Sequence, residues 1–555
     1  MPAPADILPR ARAQEILFAP IPNRADLLSL PEFAAAKTRR IAVVRNHAIE
    51  PMHAQMEQYA RFGGWRPEWH VSEYDDSLSF RGLENGEHDA ALFWINPRQY
   101  ETAPEERARW LAGRCAAFRN ISDAPAVLAT WTEDEKQSAL LAKLLEPLAG
   151  FYYADIAAAA AQTALLDGRR ESATGTPLSR AAQNIAAREI ACRWLPAILF
   201  EPLKAVLLDL DGTLHRGVLG EDGPGGVQLP EGHRKFQQAL KSLPAKGVLL
   251  GLISRNEESD VRELFQRRRD YPLRWEDFSA ATIGWRDKAE SVCEAAMQMR
   301  IAPDAALLVD DNPGELLSVA ARLPEANLLW ADEDAEKTAR ALAHYPRLWR
   351  FTRGREDAAR GADLAANAAR AKTWEAAQNE DEYFRQLEIH LRFAVNPRRR
   401  LARMAQLANK TNQFNLSLRR TNEAQTAALL DAPACDAVAV SLSDRLCDSG
   451  VIAFVAAARE GAVLAVREIC ISCRALGRKL ESAVIFGALQ RMPNFKKCES
   501  VKFDYARGPR NEPALAWLKT QTGGALPDGG AVLSAAQIAS AAPNPFISAA
   551  EETDE

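Results

Sequence analysis

Two aspartates, Asp209 and Asp211, end an apolar run in VLLDLDGTL. Side chains at i and i+2 of a strand point to the same side. The two carboxylates therefore converge at the carboxyl end of a parallel strand, where open α/β sheets place their active sites. There one carboxylate can attack phosphorus while the other passes protons, and Mg²⁺ offsets the charge of carboxylate plus phosphate. A second apolar run, VLLGLIS, ends in Ser254, whose hydroxyl can hold a phosphate oxygen. Lys288 opens a helix and adds a cation. A third run, AALLVDDN, ends in Asp310 and Asp311, hard oxygen ligands for the same ion. His215 follows the first motif and is either a substrate contact or a solvated loop histidine.

The elements that must position these groups are short apolar strands alternating with helices. Asp-x-Asp-Gly-Thr at a strand end, then Ser, then Lys, then Asp-Asp, in this order, resembles the haloacid dehalogenase superfamily. Between Asp211 and Ser254 the sequence allows one Gly-rich loop, RGVLGEDGPGGVQL, and one helix; between Lys288 and Asp310 it allows a single helix. Neither gap holds a cap domain, so the site is expected to be open to bulky substrates or closed by another domain of the chain.

At 555 residues the chain is too long for one core. Its 47% hydrophobic and 26% charged residues are ordinary for a globular protein. A formal net charge of −5 argues against a dedicated nucleic-acid binder. No apolar run reaches the roughly 18 residues of a membrane helix, and MPAPADILPRARAQEILFAP lacks the apolar core of a signal peptide. No membrane partner and a cytoplasmic location are expected. Eight scattered cysteines argue against a disulfide framework. The one close pair, Cys470 and Cys473, lies in a strand-like run without the second pair a zinc site needs.

From Arg39 the runs IAVVRN, DAALFWI and APAVLATW read as buried strands of a largely parallel sheet. The loop RRESATGTPLS reads as an exposed insertion. After about Arg350 comes an Ala/Arg/Glu-rich stretch that reads as connecting helices. A last globular part follows: helix, three strands (DAVAVSLSD, VIAFVAAAR, AVLAVREICIS), helix, strand (ESVKFDY), helix. The tail from about Pro527 reads as disordered.

The strand AVREICIS running into CRALGRKLE is similar to the GNAT-like acyltransferase element, whose amides hold the pyrophosphate of coenzyme A at a helix N-terminus. Arg474, Gly477 and Arg478 match it, and Lys479 stands where Gly or Ala is usual, which fits better the phosphopantetheine arm of a carrier protein. Cys473, beside Arg474 and a helix N-terminus, is either a thiol able to form a thioester or a small buried hydrophobe. In KTNQFNLSLRR, Lys410, Asn412, Gln413 and Asn415 suit a polar pocket or a capped turn. The RRR runs at Arg267–Arg269 and Arg398–Arg400 read as solvated faces, the second also suited to an acidic carrier protein.

Taken in order, LDLDGTLHRGVLGEDG, LISRN, VDDNPGE, KTNQFNL and SCRALGR resemble the FkbH-like glyceryltransferase/phosphatase family over about residues 40–525. The resemblance implies a multidomain α/β chain. Residues 1–36 would be an extension, 37–200 an SGNH-hydrolase- or flavodoxin-like sandwich, and 201–350 an uncapped haloacid-dehalogenase-like Rossmannoid phosphatase. Residues 351–384 would be a helical linker, 385–528 a GNAT-like mixed α+β domain, and 529–555 a disordered tail. It implies transfer of a glyceryl unit from D-1,3-bisphosphoglycerate to an acyl carrier protein with loss of phosphate, in polyketide or related biosynthesis. Asp209 would accept the phosphoryl group and Asp211 act as acid/base. Thr213, Ser254 and Lys288 would bind phosphate, and Mg²⁺ would sit on Asp209, Asp310 and the Asp211 carbonyl, supported by Asp311. Cys473 would take the acyl group before the phosphopantetheine thiol does. The alternative is a phosphatase whose GNAT-like domain only binds a carrier or partner. Two features depart from the family: no Gly-Asp-Ser or Asp-x-x-His block lies in the first domain, so no hydrolase activity is expected there, and Cys447 stands where Gly is usual.

Overall fold

The computed structural model describes residues 7–35, 37–83, 87–132, 134–169, 171–352, 360–524, 526–541 and 544–552. The fold is α/β and multidomain, with two parallel sheets and a mixed one, dividing into compact units at residues 1–353 and 354–555.

In the first unit, β1 (Lys37–Arg45), β2 (Trp65–Val71), β3 (Ala90–Trp94), β4 (Ala126–Thr130) and β5 (Phe151–Asp155) form a parallel sheet of order β2-β1-β3-β4-β5. The central strands AALFW and AVLAT are buried at every position, as a sheet covered on both faces requires. β2 lies at an edge, where its Pro67 is tolerated. A second parallel sheet follows, with β6 (Ala205–Leu208), β7 (Leu249–Ser254), β8 (Ala280–Ile283), β9 (Ala306–Asp310) and β10 (Asn327–Trp330) in the order β10-β9-β6-β7-β8. The order reverses beside β6, so a crevice opens between the carboxyl ends of β6 and β9.

Residues 37–200 and 201–350, expected as separate domains, share one apolar core. It runs from Leu17 and Ile41 through Leu203 and Val206 to Leu342. The expected extension belongs to it too: helix Ile7–Leu17 buries Ala13 and Leu17, and Gln14 exchanges hydrogen bonds with the Trp330 backbone at 2.9 and 3.1 Å. Residues 1–6 and 36 lie outside the described residues. The loop expected to be exposed is buried at Thr176, Leu178 and Ser179, because Thr176 bonds the buried His47 ring at 2.9 Å; its Arg170 lies outside the described residues.

The second unit holds one seven-stranded sheet of β11 (Ile389–Val395), β12 (Cys435–Ser443), β13 (Asp448–Glu460), β14 (Val463–Ile471), β15 (Ser500–Phe503), β16 (Ala531–Ser534) and β17 (Ile547–Glu551), ordered β16-β15-β14-β13-β12-β11-β17. β11 to β14 pair antiparallel, while helix Glu481–Arg491 connects the parallel pair β14 and β15. The expected disordered tail is corrected: β16 pairs with β15, β17 pairs with β11, and Leu533, Ile538 and Ile547 enter the core. These strands are four and five residues long, too short for a periodic signal, and the sheet edges they join supply their order. Residues 553–555 lie outside the described residues.

The expected connecting helices are present, Arg360–Ala376 and Glu380–Leu387, but they belong to the second unit. Residues 353–359 lie outside the described residues, but helix Arg360–Ala376 is anchored in the second unit by buried charge. Arg370 donates to Asp444 at 2.7 Å and to Asp363 at 3.3 Å, and Arg478 donates to the same two carboxylates at 3.2 and 3.1 Å. Ser449 adds a hydrogen bond to Asp363 at 2.7 Å. The four charged side chains are at most 4% exposed. Burial alone would raise the Asp363 carboxyl; Arg478, Ser449 and Arg370 outweigh it and hold the carboxyl below its usual range. Removing one member of such a buried set leaves an uncompensated charge. Arg478→Ala is therefore expected to destabilise this unit by about 3–5 kcal/mol, read as a lower urea midpoint, whereas truncating the exposed Lys479 should shift it far less.

Candidate active site

The crevice between β6 and β9 gathers the aspartate-rich motifs. Asp209 directly follows β6, its amide bonded to the Val309 carbonyl of β9 at 3.0 Å, and Asp310 ends β9. Lys288 stands at the start of helix Lys288–Gln298, whose N-cap Asp287 accepts from the Ala289 amide. Its buried ammonium pairs with Asp209 and, at 2.9 Å, with Asp310. Gly212 turns the chain back with φ +71°, and a Cβ there would overlap the Asp311 carboxylate. The turn thus needs glycine for backbone and for space.

Carboxylate oxygens of Asp209, Asp310 and Asp311 lie within 4.8 Å of one another. Asp209 is pushed well above the usual carboxylate range by burial, with Lys288 pulling it down and Asp310 pushing it up. Burial and then Asp310 raise Asp311 to about 6. Burial would lower Lys288, but Asp209 and Asp310 reverse this and keep it above its ordinary value. Three crowded carboxylates against one ammonium are a hard-oxygen donor set with negative charge in excess, which fits Mg²⁺. Asp311, a hard oxygen ligand by its place after β9 and a supporting group by the family resemblance, belongs to this set.

The Asp211 carboxylate is committed elsewhere. His215 Nε2 lies 3.0 Å and the Leu219 amide 2.9 Å from Oδ1, and Asn256 Nδ2 donates to Oδ2 at 2.8 Å. Burial alone would raise its pKa; His215, Asn256 and Leu219 outweigh this and hold it low. Asn256 also donates to the Ser254 hydroxyl at 2.9 Å, which leaves that O–H free to donate to a phosphate oxygen. The Thr213 hydroxyl is buried with no partner among the described residues. Both readings of His215 are corrected: it is fully buried behind Asp211, neither solvated nor at the mouth. Asn256 was missed. In LISRN it follows Ser254 by two residues, and only the strand-end turn brings it over Asp211.

The second set of predicted residues is only partly brought together. Cys473 and Arg474 sit half-buried directly after β14. Arg478 is corrected as a ligand, because its guanidinium is committed to Asp363 and Asp444. Gly477 is exposed, and Lys479 packs outside the loop, over the Trp374 ring at 4.9 Å and 3.5 Å from Glu380. The run KTNQFNL makes a capped turn: Arg420 donates to the carbonyls of Ala408, Asn409 and Thr411 at the end of helix Leu401–Lys410 and to Asn412. Asn412 and Gln413 are exposed and Lys410 is half-buried. Asn415 is corrected as a ligand: fully buried, it donates to Ala408 at 3.0 Å and accepts from the Leu418 amide at 2.8 Å. Beyond Val466, where β14 and β15 stop pairing, Phe414–Leu416 takes up the bonds of Ile469 and Ile471. Cys447 needs no glycine, since the left-handed residue near this turn is Gly450.

No helix among the described residues is long and apolar enough to cross a membrane. The sequence matches no protein-family profile, and no curated protein matches it. A solved structure that aligns with this chain is the N-terminal part of the protein BF1531 from Bacteroides fragilis, containing a phosphatase domain complexed with Mg. It is 19% identical, with a TM-score of 0.44, over 62% of this chain and 98% of that one.

Proposed function

We propose that this chain is a Mg²⁺-dependent phosphatase working through a phosphoaspartyl intermediate. The observation that carries the reading is the convergence of Asp209, Asp310 and Asp311 around Lys288, with Asp211 oriented two residues along. Asp209 attacks phosphorus while Ser254 and Lys288 hold the non-bridging oxygens. Asp211 delivers a proton to the leaving group and then takes one from the water that hydrolyses the phosphoaspartate. Mg²⁺ held by Asp209, Asp310 and Asp311 would neutralise the charge of carboxylate and phosphate together. BF1531, whose structure contains a phosphatase domain with Mg, accords with this reading.

The finer reading is that phosphate removal accompanies loading of a glyceryl unit from D-1,3-bisphosphoglycerate onto an acyl carrier protein, through Cys473. Its support is the ordered motif set and the half-buried place of Cys473 after β14. The binding-module alternative is favoured by one observation, the internal neutralisation of Arg478.

With p-nitrophenyl phosphate and Mg²⁺, the protein is expected to release phosphate, EDTA to stop it, and Asp209→Asn to reduce it to background. Full release from Asp209→Asn would refute the phosphoaspartyl route. Asp311→Asn is expected to raise the Mg²⁺ concentration for half-maximal activity by roughly 10- to 100-fold; an unchanged Mg²⁺ requirement would remove Asp311 from the ion's shell. For the finer reading, holo carrier protein incubated with 1,3-bisphosphoglycerate should gain a glyceryl adduct by intact mass, and Cys473→Ala should lose the adduct while keeping phosphate release. Normal loading by Cys473→Ala would exclude the thioester.

A further inference from the structure

His215 is held as a positioning group. Leu214, before it, accepts from the Gln237 side chain at 2.9 Å and donates to the Leu210 carbonyl at 2.9 Å. Arg216, after it, exchanges backbone bonds with Gln228 at 3.0 and 2.9 Å. The ring between them is fully buried, with Tyr271 beside it at 6.2 Å between centroids. Its polar atoms are used unequally. Nε2 faces Asp211, and because an ionised carboxylate only accepts, Nε2 carries the hydrogen. Nδ1 is buried with no partner among the described residues. Burying an imidazole with one unpaired nitrogen is costly. Were packing the only need, an apolar side chain would serve better.

The consequence falls on the two oxygens of Asp211. Oδ1 receives both His215 Nε2–H and the Leu219 amide, which fills its lone pairs. Among the described residues Oδ2 receives only Asn256, the residue that also bonds Ser254, which leaves Oδ2 a lone pair able to take a proton.

Building on the phosphatase reading, we infer that His215 is a positioning residue: by occupying Oδ1 with Leu219 it dedicates Oδ2 of Asp211 to the proton transfers. In hydrolysis, water oxygen bonds to phosphorus, the bond from phosphorus to the Asp209 oxygen breaks, and the water proton moves to Oδ2. Without the imidazole the carboxylate rotates, and the hydrolytic half-reaction slows more than phosphoryl transfer from a substrate whose leaving group departs unprotonated.

The experiment uses the full chain with Mg²⁺ and acetyl phosphate, measuring steady-state phosphate release and the fraction of phosphorylated Asp209 in acid-quenched protein. His215→Leu is expected to lower kcat on the order of 100-fold with KM little changed, and to raise the phosphorylated fraction. His215→Gln, whose amide reaches toward the place of Nε2, should restore most of the rate, and the shorter His215→Asn should not. This pair keeps the test open should the leucine variant fail to fold. In an Asp211→Asn background, His215→Leu should add no further loss. Equal losses in the glutamine and asparagine variants with an unchanged phosphorylated fraction, or normal turnover in all three, would overturn the role of His215 alone. A wild-type protein that never phosphorylates Asp209 would defeat the phosphatase reading itself.

Discussion

The first unit is organised around a repulsion. Asp209, Asp310 and Asp311 bring carboxylate oxygens within 4.8 Å of one another. At that spacing two ionised groups oppose each other by roughly 3–4 kcal/mol at an effective dielectric of 20. Lys288 relieves part of this, while burial first and the Asp310 charge after it push Asp209 and Asp311 upward. Such a cluster persists only when the scaffold over-determines it. Here it does: Asp209 and Asp310 are fixed by adjacent parallel strands, and Asp311 is packed against a turn position that admits no side chain, Gly212. The parallel sheet, the buried lysine and the glycine turn together hold these like charges in one place.

Much of this was legible because buried parallel strands announce themselves. VLLDL, VLLGLIS and AALLVDDN are continuous apolar runs ending in the polar residues that form the site. What escaped has a physical reason. β8 and β10, AATI and NLLW, are four-residue strands at or near the sheet edges, too short for a period to register. His215 sits in a loop whose sequence looks solvated; its burial comes from the Gln237 and Gln228 contacts, which no local pattern encodes. The boundary drawn at residue 200 falls between the two parallel sheets, yet one apolar core continues across it. The apolar faces on either side of it are each amphipathic in the ordinary way, and nothing local tells that they meet in one core.

In the second unit the strands β12 to β15 were readable in their order, β11 was not, and the site was less so. Arginine and asparagine side chains look alike in sequence whether they grip a ligand or their own fold. Asn415 is buried because Phe414–Leu416 bonds to β14 where β15 diverges, a relation between segments some fifty residues apart. Lys479 departs from the expected small residue and has a local use: it lies on Trp374 and beside Glu380, from the helical segment that read as a linker.

Two of the buried charge clusters among the described residues show how such cases are told apart. Around Asp209 there are three carboxylates and one ammonium, a set that stays incomplete until a cation and an anion enter. Around Asp363 there are two carboxylates and two guanidinium groups, each arginine bonded to both aspartates. That set is closed: a phosphate approaching Arg478 would have to displace carboxylates already bonded to it in a medium where separating charge is costly. Imbalance therefore marks the first cluster as a site and balance marks the second as scaffold, although both are built from the same residue types at similar burial. The count of charges, rather than their presence, carries the distinction, and it assigns Arg478 to holding helix Arg360–Ala376 in place.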